Sequence, residues 1–114
     1  MEATLSDLLT ENLRRVFAER ERSTRDAVIS KLWHEDCVFI DPEGVHRGQK
    51  ALSDAIDAVH LRFPGFAFNI TSGVQEMSGV GRVSWALGPP TGPAPVTGTD
   101  VGVVIKGKIA NLYA

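Results

Sequence analysis

The sequence predicts an α+β fold, with N-terminal helices inside a strongly curved antiparallel sheet that closes as a cone-shaped barrel with one open end. Three observations carry this expectation. Apolar residues recur at spacings of three and four in two stretches before residue 34 and one after residue 48. Short β-rich runs bounded by turn residues fill the chain after residue 65. One further β-rich run, residues 37–40, falls between the helices, so the sheet begins before the last helix does.

Leu5, Leu8, Leu9, Leu13, Val16 and Phe17 mark one face of a first helix, with Thr4 or Ser6 as its cap. Ser23-x-x-Asp26 has the form of a capping box and predicts a second helix, with Val28, Ile29, Leu32 and Trp33 inward. Cys37 to Ile40 reads as a strand. Asp41-Pro42-Glu43-Gly44 then carries type I turn chemistry. Leu52, Ala55, Ile56, Val59 and Phe63 define a third helix, stopped by Pro64-Gly65. Phe66 to Ile70, Val74 to Met77 and Arg82 to Leu87 read as strands. Residues 88–95 include four prolines, which have no N–H to give a sheet, and predict a long hairpin loop. Val96 to Ile105 and Lys108 to Tyr113 are the last strands, joined at Lys106-Gly107. The expected domain is a single one spanning 1–114.

Composition narrows the function classes. A chain of 114 residues, 43% hydrophobic and 23% charged, can bury a core without staples. The single cysteine, Cys37, excludes an internal disulfide and reads as a buried small hydrophobe. Net charge is −2, and the arginines between residues 14 and 25 alternate with acids, which argues against a nucleic-acid footprint. No run approaches a membrane span and no signal-peptide pattern opens the chain, so a cytoplasmic location is expected. His34, Glu35 and Asp36 match no metal-ligand spacing, and Gly79-Val80-Gly81 precedes a strand and lacks the third glycine of a dinucleotide fingerprint. Neither metal nor cofactor is expected.

Two carboxylates attract attention. Strand alternation puts Asp41 on the face of Cys37 and Phe39. Asp100 is the only acid between Val96 and Ile105, and it shares a face with Gly98, Gly102 and Val104. Two carboxylates around one apolar pocket can divide roles: the more solvated one stays ionised as a base, and the more buried one keeps its proton and donates to a developing oxyanion. Each residue also has a plain alternative, Asp41 as turn chemistry and Asp100 as a strand residue facing solvent or a dimer partner. The residues expected to line a substrate pocket are Phe17, Trp33, Phe39 and His46, with Val59, Phe63, Trp85 and Gly102. Both tryptophans are most simply read as core residues, although an indole N–H in a pocket could donate a hydrogen bond.

The stretch Lys31-Leu32-Trp33-His34-Glu35-Asp36-Cys37-Val38-Phe39-Ile40-Asp41-Pro42 resembles the "L-(Y/F/W)-x-x-D-x-x-(F/V)-x-D-P" segment of the nuclear transport factor 2-like superfamily, most closely its SnoaL-like branch of polyketide cyclases and ketosteroid isomerases. His46 to Leu52 resembles that branch's "x-x-G-x-x-A-(I/L)" helix opening, and Ile105 to Ile109 its "(D/N)-G-K-I" hairpin. The resemblance runs from about Leu5 to Tyr113 and implies a cystatin-like cone, commonly a homodimer through the outer sheet face. It places the ketosteroid isomerase general base on Asp41, the second, protonated acid on Asp100, and the oxyanion tyrosine on Phe17. Phe17 departs from that pattern, and losing one oxyanion donor typically costs about 10²–10³ in rate. Two readings therefore stand. One is an isomerase- or cyclase-type acid–base enzyme acting on a small hydrophobic, carbonyl-bearing molecule. The other is a non-catalytic ligand-binding or dimerisation module.

Overall fold

The computed structural model of the chain describes residues 3–114, so the first two positions of the expected domain lie outside the described residues. Thr4, the earlier of the two candidate caps, opens helix α1 (Leu5–Glu11). Its hydroxyl accepts from the Asp7 N–H at 3.1 Å, and the Asp7 carboxylate accepts from the Thr4 N–H at 3.1 Å. The helix does not stay α-helical to Phe17. Asn12–Phe17 widens into a π-helical segment, with the Ala18 N–H bonded to the Leu13 carbonyl five residues back at 3.0 Å. Asn12, Leu13, Val16 and Phe17 are all buried there.

Helix α2 (Arg22–Leu32) starts earlier than the Ser23 capping box suggests. Glu21 is the cap: its carboxylate accepts from both the Ser23 N–H (3.3 Å) and the Ser23 hydroxyl (2.8 Å). Asp26 instead pairs with Arg22 at 3.5 Å and accepts from the Ser53 hydroxyl at 2.5 Å. Trp33 is extended, so strand β1 (Trp33–Asp41) begins at the residue expected on the helix. A two-residue turn, Pro42-Glu43, leads into β2 (Gly44–Arg47), a short strand that the sequence pattern does not predict. Helix α3 (Gln49–Arg62) follows, ending at Phe63 before Pro64-Gly65 as expected.

The remaining strands are β3 (Ala67–Ile70), β4 (Gln75–Met77), β5 (Val80–Gly88), β6 (Val96–Ile105) and β7 (Lys108–Tyr113). They form one curved seven-stranded sheet in the order β2-β1-β7-β6-β5-β3, with β4 also on β5. Every pairing is antiparallel except β1 with β7, where Phe39 lies beside Leu112 and Ile40 beside Tyr113. That parallel pair brings the last strand beside the first. It also places Ala114 next to the Asp41 turn, its N–H bonded to the Ile40 carbonyl at 2.9 Å.

Helix α1 sits on a paired Gly81 and Gly102. A Cβ on Gly81 would stand 2.3 Å from the Leu5 Cδ2, and one on Gly102 would stand 2.6 Å from the Leu9 Cδ2. The two glycines thus let the helix lie directly on the sheet backbone. Helices α2 and α3 are joined by Arg25, whose side chain is fully buried and pairs with Asp57 while donating to the Ser53 hydroxyl (3.0 Å) and the Glu19 carbonyl (2.9 Å). Among the described residues no helix is long and apolar enough to cross a membrane.

Candidate functional site

A partly enclosed cavity of about 220 Å³ lies at the open end of the cone. Its wall is built from every layer of the fold. The π-helical segment contributes Leu13 and Phe17, β1 contributes Phe39 and Asp41, and α3 with its cap contributes Val59 and Phe63. From the far side of the sheet come Phe68, Trp85, Leu87, Val96, Gly98 and Asp100. Asp41 and Asp100 therefore border one space, although they come from strands 59 positions apart in sequence.

The two carboxylates sit in different surroundings. The Asp41 side chain is 14% exposed at the rim. Its Oδ1 accepts from the Glu43 N–H at 3.0 Å, which closes the Pro42-Glu43 turn, and lies 3.0 Å from the His46 Nε2. His46 is held by the hairpin register, which pairs it with Phe39, and the two rings stack at 5.4 Å with 24° between their planes. With Nε2 on a carboxylate oxygen, that nitrogen carries the proton, and the pair forms an Asp–His dyad at the mouth. Turn chemistry and a place at the pocket rim belong to the same residue.

Asp100 is 3% exposed. Its Oδ1 accepts from the Trp85 Nε1–H at 2.9 Å. Burial pushes the Asp100 carboxyl up to about 6, against the indole N–H, which favours the charged form. Gly98 makes this contact possible. A Cβ there would fall 2.3 Å from the Trp85 Cζ2, so the indole lies across the glycine to reach the carboxylate two residues on. The space beside Asp100 that the sequence attributes to glycine is thus occupied by a donor.

Phe17 is 7% exposed and lies edge-on to Phe39 (5.4 Å) and Phe68 (6.2 Å); Phe68 lies edge-on to Trp85 (5.3 Å). These four rings form a continuous aromatic wall. The Phe17 carbonyl is 2.6 Å from the His60 Nε2, which ties the π-helical segment to α3. Burial holds the His60 imidazole below its ordinary value, and the nitrogen facing the carbonyl, Nε2, carries the proton.

Three residues expected in the wall lie elsewhere. Trp33 is fully buried outside the cavity, its indole N–H donating to the Asn12 Oδ1 at 2.9 Å, because β1 starts there and turns the ring under the first helix. Gly102 faces Leu9 and serves the seat of α1. His46 acts on Asp41 rather than lining the wall itself. Conversely, Phe68 and Gly98 were not singled out for the pocket. Phe68 alternates with the exposed Ala67 and Asn69, and that alternation was the available signal. Cys37 is buried, and burial pushes its thiol up, away from nucleophilic use. His34 turns to the Ile105 carbonyl at 2.6 Å.

Residues 13–112 match the family model of the SnoaL-like domain. The chain belongs to the SnoaL-like domain family. A SnoaL-like protein from Agrobacterium tumefaciens, described as a candidate isomerase, is similar to it at 26% identity and a TM-score of 0.86, over 93% of this chain and 91% of that one. A candidate polyketide cyclase from Sinorhizobium meliloti has 16% identity and a TM-score of 0.76, over 96% and 94%. A nuclear transport factor 2-like protein of unknown function from Cytophaga hutchinsonii has 15% identity and a TM-score of 0.72, over 99% and 89%. The latter two share the fold. No curated protein matches the sequence. The SnoaL-like membership and the cone fold agree with the family resemblance carried by residues 31–42, 46–52 and 105–109.

Proposed function

We propose that this SnoaL-like chain binds a small, largely apolar molecule in the cone and moves a proton on it, with Asp41 as the base and Asp100 as the hydrogen-bonding acid. One observation carries the reading: two carboxylates in unlike surroundings border one aromatic cavity. The Asp41 carboxylate, bonded to His46, stands at the cavity rim where it can accept a proton from the ligand. Asp100 can switch between acceptor and donor near neutral pH, and in its protonated form it would donate to a carbonyl oxygen on the ligand. The candidate isomerase and cyclase among the structural neighbours favour the same class. The cavity is smaller than the roughly 300–1,000 Å³ usual for drug-sized ligands, which points to a ligand of one ring or a short branched chain.

The test is deuterium exchange of the activated C–H protons α to the carbonyl in a panel of small ketones, followed by NMR. Wild type should accelerate exchange, and Asp41→Asn should lower that acceleration by about 10²-fold or more. Exchange that proceeds equally well with Asp41→Asn would remove Asp41 as the base. A second reading, ligand binding without turnover, is favoured by a specific observation: Phe17 brings no hydroxyl and the Trp85 N–H is already bonded to Asp100, which leaves the hydroxyl of the exposed Thr97 as the wall's remaining neutral side-chain donor for an oxyanion. In that case ligand binds and exchange stays at the solution rate.

Association as a homodimer through the outer sheet face is also proposed. Inward Asp100 and Gly102 leave Val101 and Val103 on the other side of β6. There they align with the exposed Val80 and Tyr113 on neighbouring strands.

A further inference from the structure

We infer that the ligand of this cavity carries a cationic nitrogen, a protonated small alkyl- or benzylamine, seated between the Asp100 carboxylate and the aromatic wall. The inference rests on the pocket reading above and specifies the ligand's polar end; with Asp100 as an acceptor, it follows the reading of binding without turnover rather than the one in which Asp100 donates to a carbonyl.

The charge-bearing side chains of the wall are acceptors. Asp100 is buried and takes its hydrogen bond from a neutral indole. Asp41 takes both of its bonds on Oδ1. No Lys or Arg stands among the residues that line the space. A buried carboxylate whose partner is neutral is an unbalanced charge, and it is completed either by a proton or by a cation that enters from outside. The rings of Phe17, Phe39, Phe68 and Trp85 belong to the same wall, and aromatic faces attract ammonium groups, more strongly where water is excluded. Trp85 joins the two halves of such a site, with its ring in the wall and its N–H on the carboxylate.

A carbonyl is the poorer fit. It needs a donor, and the Trp85 N–H is engaged, Phe17 has none, and Thr97 is exposed. Asp100 donates only when protonated. An ammonium group needs acceptors, and the cavity presents two carboxylates.

The charged groups around the site are few. On the β1–β2 hairpin, Asp41 faces His46, and Glu43 pairs with Arg62 at 3.3 Å. Arg62, at the end of α3, lies over the Phe63 ring at 5.6 Å from its centroid. Arg14 of the π-helical segment borders a separate surface cleft with Phe68 and Trp85. Behind the wall, His60 meets the Phe17 carbonyl and Arg20 the Phe63 carbonyl. His46 and His60 are thus the titratable groups whose protonation would oppose a cation, and the test must separate them from Asp100.

Binding is read by Trp85 fluorescence and calorimetry with three probes: N,N-dimethylbenzylamine, its neutral isostere isobutylbenzene, and acetophenone as the carbonyl. At pH 8 the amine should bind wild type at least about tenfold more tightly than the isostere. The preference should shrink at pH 5, where the amine is still protonated but Asp100 has taken up its proton. Asp100→Asn should abolish the preference at pH 8, with His46 left in place. Isobutylbenzene or acetophenone binding as tightly as the amine at pH 8 would overturn the cation inference while the pocket reading stands. Failure of all three probes to bind wild type would overturn the pocket reading and the inference with it. The amine-over-isostere preference of wild type at pH 8 decides the matter even if the variant does not fold.

Discussion

Asp41 and Asp100 differ in what surrounds them, and the difference sets two predictions. Asp41 meets two polar hydrogens at the rim, whereas Asp100 is closed off with one indole N–H. The folded chain therefore holds the Asp100 proton more tightly than the unfolded chain does. Its contribution to stability is present at low pH and is lost as pH rises from about 4 to about 6, a loss of order 3 kcal/mol. Asp100→Asn keeps an acceptor for Trp85 and removes this loss. Thermal unfolding across pH 4–8 should thus show the variant gaining on wild type as pH rises, and parallel curves would contradict the burial of the charge. The second prediction concerns Gly98. Gly98→Ala puts a methyl into the Trp85 ring and should cost about 1–3 kcal/mol, with a shift in tryptophan fluorescence as the indole leaves Asp100. Sequence alternation placed Asp100 and Gly98 on one face. It had no means of showing that the partner was Trp85, since that depends on which residue of β5 falls opposite Gly98.

At the scale of elements, the α2–α3 contact rests on charge as well as on apolar packing. Arg25 is fully buried while Asp57 is 38% exposed, so the two halves of the pair are not equivalent. Asp57→Asn leaves a guanidinium inside the protein, and should cost about 3–5 kcal/mol in chemical unfolding. Arg25→Met fills the same space with an apolar chain, leaves Asp57 partly in water, and should cost less. Equal losses would mean that the pair acts through shape alone. The helices themselves were legible from their apolar spacing, and their starts were less so. Glu21 took the cap from Ser23 because its longer side chain reaches both Ser23 donors. The π-helical segment left almost no trace, because Leu13, Val16 and Phe17 fit an α-helical stripe equally well. The buried Asn12, bonded to Trp33, marks where the winding changes.

For the whole molecule, the curved sheet and the enclosed helices were readable from element order, and the family resemblance agreed. The strand pairing that closes the cone was not. The parallel β1–β7 pair joins residues more than 70 positions apart, and no local pattern specifies which edge the last strand takes. That pairing matters to function because it sets Ala114 and the Asp41 turn at the cavity mouth. The outer face gives a prediction at this scale. Val101→Glu adds a charge to the proposed dimer face without entering the core, so light scattering should show a smaller species with unchanged circular dichroism. A wild-type monomer would contradict the proposed association.

The proposed chemistry depends on Asp100 holding its proton inside an apolar cavity shared with Asp41. Carboxyl-carbon NMR across a pH titration reads this proton itself, together with the Trp85 indole N–H resonance. An Asp100 midpoint near 6 is expected, with the indole resonance moving over the same range. An Asp100 midpoint near the ordinary value of about 4, with an indole resonance that does not respond, would place the carboxylate in water and contradict it.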